Sequence, residues 1–451
     1  MTKINIFIFR RDFRLIDNTS LYELYKTYPT TKILLIFIFN KKQIDKSVNK
    51  YYSSNAVQFL FECFKDIPLL NFYYTSTDDI TILNQLLSQY DIQSIAFNKD
   101  YTPYAIKRDE VIKKWCDNHH INLISCEDYT LYHLHTNLKD DKKPYLKFTP
   151  FYKKALLNHP PPFNSSKINN QLFIKDTKSL SNIDKYKPIV NNEFIKVQGG
   201  RTNALQILQQ LKNNQFKDYD KNRDYPYEDK TTKLSAYIKF GCVSVREIFD
   251  CLPKNHGIIR ELIWRDFYAY IIYYFPHVIG NSYIKKYDKV KWTNNPIFFE
   301  KWKNGKTGFP FVDASMNQLN KTGWLHNRCR MIVASFLTKN LFIDWRWGEE
   351  YFASKLVDYD PASNNGGWQW CASTGTDAQP YFRIFSPTSQ LMRFDKKCEY
   401  VKQWIPELKD VENKIILNWD KKQKDDINYP KPIVDFSQTS KHFIAKFKEI
   451  T

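Results

Sequence analysis

Glu261, Trp264 and Arg265 lie in the run ELIWRDFY, and spacings of three and four put them on neighbouring positions of one helical face. A carboxyl, an indole and a guanidinium so placed can line a cleft that stacks a flat ring and bonds its edge. Asn327, Arg330 and Met331 repeat that spacing, so an amide, a guanidinium and a thioether share a second face, with Arg328 beside them exposed to reach a phosphate. Thr231-Thr232-Lys233-Leu234-Ser235 precedes a helical pattern; free N–H groups and the helix dipole favour an anion there. The densest stretch is 324–377, with five of the eleven tryptophans, Arg328, Arg330, Asp358, Asp360 and Asn364-Asn365-Gly366-Gly367. Each has a plainer account: an interfacial salt bridge, an ordinary N-cap, an aromatic core with polar turns. Residue types alone leave both accounts open.

Other signatures fail on inspection. Gly305-Lys306-Thr307 imitates a phosphate-binding loop, but the glycine required five positions before its GK is Glu300. Cys116, His119, His120 and Cys126 match no usual zinc spacing, so no metal is expected. Eight cysteines without a CxxC make no disulfide framework and suit a reducing compartment. No glycine precedes Gly199, which excludes the G-x-G-x-x-G dinucleotide turn from the first half. The longest apolar run, Ile33 to Phe39, is too short for a bilayer, and no secretory leader is read at the N-terminus. A soluble intracellular protein with no membrane partner is expected, its compartment left open. The sequons at Asn18 and Asn164 are then chance matches. The net charge of +19 suits a polyanionic partner, although a lysine-rich composition alone would also produce it.

The first 126 residues alternate short apolar runs with helical patterns. Strands are expected at Ile4–Phe9, Ile33–Phe39, Leu70–Thr75, Ser94–Phe97 and Ile121–Ser125, with helices at Ser53–Asp66, Asp78–Gln89 and Pro103–Asn118. Buried parallel strands separated by helices imply a doubly wound, Rossmann-like α/β domain, whose ligands bind beyond the carboxyl ends of the strands. Arg10-Arg11-Asp12-Phe13-Arg14 follows the first strand and reads as a salt-bridged loop. Residues 127–198 read as a connector over the surface. From Gly199 the periodicity is helical, with helices expected at Thr202–Asn213, Ser235–Phe240, Val245–Leu252, Ile258–Phe275, Asp313–Leu319, Asn327–Thr338, Trp347–Leu356 and Glu399–Trp404. The charged tail after Asp420 is expected to fray. The division is thus 1–130 α/β, 131–198 connector and 199–451 all-α.

FIFRRDFRLIDN, RDYPYEDKTTKLSAYIKFG, ELIWRDFY, GKTGFPFVDASMNQL, WLHNRCRM, DWRWGEEYF, VDYDPASNNGGWQWCASTGTD and PYFRIFSP, in this order, resemble the photolyase/cryptochrome flavoprotein family. The strong part runs from about Tyr219 to Asp395. The resemblance implies an α/β antenna domain, a connector and a helical domain holding folded FAD. It assigns Tyr219, Thr231, Thr232, Lys233, Leu234 and Ser235 to the FAD phosphates, and Arg265, Arg330, Asp358, Asp360, Asn364 and Asn365 to the rest of the cofactor. An Arg330–Asp358 pair would lie near the isoalloxazine, with Asn364 at its N5 atom. Trp368, Trp345 and Trp292 match the electron-transfer triad, ordered from flavin to surface. Ile258 departs from the pattern, standing where many relatives have tryptophan.

Within the family, Glu261, Trp264, Asn327, Arg328, Met331 and Trp370 resemble the class I enzymes that repair cyclobutane pyrimidine dimers. Relatives acting on (6-4) photoproducts have a second histidine at Asn327, and the single-strand-preferring type has glutamine at Met331. The implied activity is electron transfer from photoexcited reduced FAD to a dimer flipped out of UV-damaged DNA. Trp264 and Trp370 would wall the bases, and Glu261, protonated, and Asn327 would bond the pyrimidine edges. Glu261, Asn327, Met331 and Asn364 form the implied catalytic set, while Arg223, Arg328 and Gln390 contact DNA without reading sequence. A monomer is expected. A cryptochrome-type light receptor, or a photolyase of other lesion specificity, is the alternative. Tyr104 and Ala105 replace the Asn-Glu of folate-binding relatives, so the antenna could be a deazaflavin, a second flavin or none.

Overall fold

The computed structural model describes residues 1–189 and 191–450. Contacts divide the chain into two compact units. The first comprises Met1–Asn191, Val197–Gln215 and Lys233–Pro276; the second comprises Asn192–Lys196, Phe216–Thr232 and everything from His277 onward. The chain passes between them several times, so these units are not the segments 1–130, 131–198 and 199–451.

In the first unit, β1 (Thr2–Ile8), β2 (Lys32–Asn40), β3 (Asn71–Thr75), β4 (Tyr90–Asn98) and β5 (Asn122–Cys126) form a parallel sheet in the order β3-β2-β1-β4-β5. Eight of the nine residues of KILLIFIFN in β2 are buried, which is why the run is apolar throughout rather than alternating. Ile4, Ile6 and Ile8 pack with Ile36, Ile95 and Phe97 in one core cluster, whereas Phe7 and Phe9 meet edge-on and Phe9 stacks on Phe13. Helices Ser54–Phe64, Asp79–Leu87 and Pro103–Asn118 fall where periodicity put them.

The 127–198 stretch is more than a surface connector. It contains helix Phe148–Leu157 and a short strand, β6 (Phe173–Ile174), which pairs with β2. Phe148, Phe151 and Phe173 are buried, so these elements owe their order to tertiary packing that weak local periodicity cannot reveal. Helix Thr19–Thr27 was likewise hidden; its N-cap is Asn18, fully buried and accepting from Leu21 N, so that sequon is a helix start.

The loop after β1 is salt-bridged as read. Arg10 pairs with Asp109 at 2.6 Å, Arg11 with Asp100 at 3.0 Å and Arg14 with Asp128 at 2.5 Å. Gly241, at φ +64°, lies against this loop, where a Cβ would fall 2.4 Å from Arg11 O.

The second unit is helical. Trp302, Trp345, Phe352, Trp368, Tyr400 and Trp419 centre its core. Gly305-Lys306-Thr307 is a turn wrapped around buried Asp313, which accepts from Thr307 N, Thr307 Oγ1 and Gly308 N. Helices Pro296–Lys303, Pro361–Ala372 and Pro387–Phe394 were not anticipated; each carries proline in its first turn, where the missing N–H costs nothing. The pattern 327–338 splits into helix Asn327–Ser335 and a π turn, Phe336–Asn340. The tail does not fray after Asp420: Phe436–Lys448 is a helix, with Phe443 and Phe447 fully buried against Tyr287, Val290 and Phe342. Its apolar residues stand four apart, a one-faced pattern masked by the lysines between them. Among the described residues no helix is long and apolar enough to cross a membrane.

Candidate functional site

Helix Asn327–Ser335 starts at His326, whose Nδ1 accepts from Arg328 N at 3.2 Å. Burial pushes this imidazole down to about 4, so it stays neutral and able to accept. On the first turn Asn327 is exposed, and its Nδ2 lies 3.8 Å from Met331 Sδ. The amide and thioether therefore meet as their spacing of four required. Arg330 donates from Nε to Leu325 O at 2.8 Å and from Nη2 to both oxygens of Asp358, at 2.8 and 3.1 Å. Arg328 corrects the expectation of an exposed arginine. Its side chain is 18% exposed, bound to Asp224 at 2.7 Å and laid 4.5 Å over the Phe394 ring.

Asp360 caps helix Pro361–Ala372 by accepting from Ser363 N at 2.9 Å. Asn364 donates to Glu349 O at 3.0 Å. Asn365 is buried and saturated: its amide donates to Val278 O and Glu349 Oε1, and its oxygen accepts from Gln369. It holds the helix in place. Trp368 is buried on Gly348, where a Cβ would fall 2.1 Å from the indole Cη2. Trp345 is wholly buried, and Trp292 is partly exposed between Phe342 and Phe447, at 5.2 and 5.9 Å. Trp370 packs half-buried on the same core. Of the aromatic core that is the plainer account of 324–377, Trp324 is buried, but Trp347 is 36% exposed and sits at the margin, edge-on to Phe299. Tyr219 opens the short helix Tyr219–Asn222 and Arg223 is its C-cap, lying 3.7 Å from Asp220. Thr231 Oγ1 and Gln390 Oε1 are buried without a partner.

In the first unit, helix Leu234–Lys239 does not begin on a hydroxyl cap. Its N-cap is Lys233, left-handed at φ 55° and without a side-chain cap bond, while Ser235 is exposed. Helix Gly257–Tyr274 carries Glu261, Trp264 and Arg265. Glu261 is 35% exposed, 3.6 Å from Arg260 Nε. One face of Trp264 is covered by Phe148, 3.6 Å away and within 7° of parallel. Arg265 lies 3.6 Å over the Tyr129 ring and donates to Tyr129 O at 2.6 Å, leaving Nη2 buried without a partner. The next residue, Asp266, accepts from Leu131 N and Tyr132 N, and burial raises its carboxyl to about 7. Ile258, the departure from the family pattern, is buried.

Orphaned donors are what a bound phosphate-bearing cofactor would satisfy. Thr231 Oγ1 in the second unit and, separately, Arg265 Nη2 in the first are buried without a partner. Each suits an anionic group such as FAD carries. The description "FAD binding domain of DNA photolyase" matches residues 258–449, and "DNA photolyase" matches residues 5–167. A deoxyribodipyrimidine photo-lyase of Buchnera aphidicola is 34% identical, the match covering 99% of this chain and 97% of the relative. The chain belongs to the photolyase/cryptochrome family. A photolyase from Sulfolobus tokodaii, solved with two FAD molecules, superposes with a TM-score of 0.88 at 37% identity over 99% of this chain and all of that one. A Synechocystis cryptochrome gives 0.87 at 26% identity, covering 99% of each chain. FAD is the cofactor of this chain as of its family.

The residues that hold these side chains carry no role in the sequence motifs. Asp224 tethers Arg328, Glu349 receives both asparagines, Tyr129 stacks Arg265 and Phe148 covers Trp264. Asp224 and Glu349 stood inside the quoted motifs without a role. Tyr129 and Phe148 gave no signal, because both lie in the stretch read as connector.

Proposed function

We propose that this protein is a light-driven lyase that splits cyclobutane pyrimidine dimers in DNA. The first turn of helix Asn327–Ser335 carries the reading: Asn327 and Met331 are in contact at 3.8 Å, while Arg330 on that turn is bound to Asp358. One short helix thus offers an edge-bonding amide and a thioether to a lesion, and an ordered guanidinium to a flavin. Reduced FAD, when bound, supplies the photoexcited electron. The chain binds, orients and shields. Thr231, Thr232 and Tyr219, and separately Lys233, Leu234, Ser235 and Arg265, take the cofactor's anionic parts; Asp358, Asp360 and Asn364 take polar edges, and Asn365 acts by holding its helix. Trp264 and Trp370 each offer an indole to an extruded base, with Glu261 a carboxyl for its edge. Arg223, Arg328 and Gln390 meet the DNA, Arg328 with its charge already shared by Asp224. Trp368, Trp345 and Trp292 carry electrons inward, consistent with two buried indoles and one partly exposed. Deoxyribodipyrimidine photo-lyases resemble the chain over nearly its full length at 34% identity, which favours repair over light signalling.

Purified reduced protein mixed with thymine-dimer DNA should restore thymines only under blue light; no light-dependent restoration would sink the reading. Glu261→Ala should lower repair per bound dimer while retaining FAD. A second flavin is the antenna best supported, since the Sulfolobus relative holds two FAD molecules and Arg10 keeps Nε and Nη2 buried without partners beside β1. An absorption spectrum of the native protein tests it.

A further inference from the structure

Lys339 is wholly buried in the π turn Phe336–Asn340, and among the described residues no carboxylate pairs with it. An ammonium with no counter-ion in a core is costly, and a methionine would fill the same space without that cost. Its Nζ donates to main-chain oxygens, Arg383 O at 2.8 Å and Tyr381 O at 3.5 Å, and lies 5.5 Å from the Phe443 ring. The segment it holds is otherwise a tight turn, closed by Arg383 N on Pro380 O at 2.9 Å. At its tip Phe382 is 63% exposed beside exposed Arg383, an aromatic face and a cation suited to nucleic acid. Gln379 fixes the other flank to Cys371 O, the residue after Trp370.

We propose that Lys339 is a positioning residue for damaged DNA, a buried ammonium strut that holds the Tyr381–Arg383 turn at its binding height. The inference rests on the DNA-repair reading above. π turns recur at functional sites, and all five residues of this one, Lys339 among them, are buried. Burial lowers the ammonium to about 7, so the strut weakens as pH rises through neutrality. The titratable groups acting on it are Cys371 from the neighbouring helix and Arg383 from the turn itself; from helix Phe436–Lys448 the Phe443 ring lies against it.

The test compares Lys339→Met, Lys339→Gln and Arg383→Ala in the FAD-loaded protein, with dark binding to dimer-containing and undamaged oligonucleotides. Lys339→Met should weaken binding of dimer DNA roughly tenfold, the effect of leaving two part-buried carbonyls without their charged donor. FAD retention and repair yield per bound dimer should stay unchanged, and Lys339→Gln should recover part of the affinity. Wild-type affinity should fall between pH 6 and 8.5 more steeply than that of Lys339→Met. Unchanged affinity in Lys339→Met while Arg383→Ala binds weakly would overturn the strut alone. Equal pH slopes, or loss of FAD together with affinity in both lysine variants, would reduce Lys339 to a fold residue and overturn it too. If no variant and no dimer alters binding, the DNA-repair reading itself fails.

Discussion

Arg14 with Arg246 in the first unit and Arg330 with Arg328 in the second are both arginine–aspartate clusters, but they are built to different ends. Arg14 and Arg246 are buried and share Asp128, at 2.5 and 2.7 Å, while Arg246 also binds Asp17 at 2.9 Å. The two guanidiniums beside Asp128 hold its carboxyl well below the usual range despite burial. Nothing in that network faces solvent, so it fastens the first turns of the chain to the Val245–Asp250 helix. Arg330 is 27% exposed and Arg328 18%, and each gives one carboxylate only part of its donor fork. The buried cluster fixes the fold, whereas the partly exposed pair is the one proposed to serve a ligand.

The first way to break this comparison is Arg246→Met, which leaves two carboxylates under-paired in the interior. Denaturant unfolding should register a loss of ~3–5 kcal/mol, with FAD content falling only as the fold does. A loss no larger than that of a surface pair would erase the distinction.

Asp266 sharpens it next, since it is buried with backbone donors and its pKa moves opposite to that of Asp128. A carboxyl raised to about 7 in the fold holds its proton longer than in the unfolded chain, so its contribution to stability falls as pH rises from ~4 to 7. Asp128, depressed, contributes above ~4 and loses that contribution as pH drops further. Asp266→Asn should flatten the neutral side of the stability curve by up to ~4 kcal/mol across that window, read as midpoint against pH; an unchanged slope refutes the assignment.

Gly348→Ala probes the proposed electron path instead of the charges. Its Cβ would meet the Trp368 ring at 2.1 Å, so stability should drop by ~1–3 kcal/mol through overpacking. Light-driven reduction of oxidised flavin should slow, while protein reduced beforehand still repairs. Equal loss of both activities would detach Trp368 from the path.

Arg328→Met should have the smallest effect on folding, ~1 kcal/mol or less, because its bond to Asp224 is partly solvated. DNA affinity should fall with a shallower salt dependence. A stability loss as large as that of Arg246→Met would merge the two clusters into one class.

The strands, the helix Pro103–Asn118 and the one-faced set Asn327, Arg330 and Met331 were legible because each depends on a local period. Trp264 and Arg265 were legible as types but not as environments, since Phe148 and Tyr129 come from more than a hundred residues away in the chain. The terminal helix went unread because two buried phenylalanines, Phe443 and Phe447, are few against many lysines until Phe342 is seen to receive them.

The sequence by itself determined the parallel sheet, the helical second half, the flavoprotein family and which side chains could share a helical face. Those follow from hydrophobic periodicity and from motifs of fixed spacing. Only the tertiary structure decided that Arg328 is tethered, that Asn365 is spent within the protein, that helix Leu234–Lys239 begins without a side-chain cap, and that Lys339 is buried against backbone oxygens. The reason is physical: a polar group's role depends on which of its hydrogen bonds are already made, and those partners lie far away along the chain.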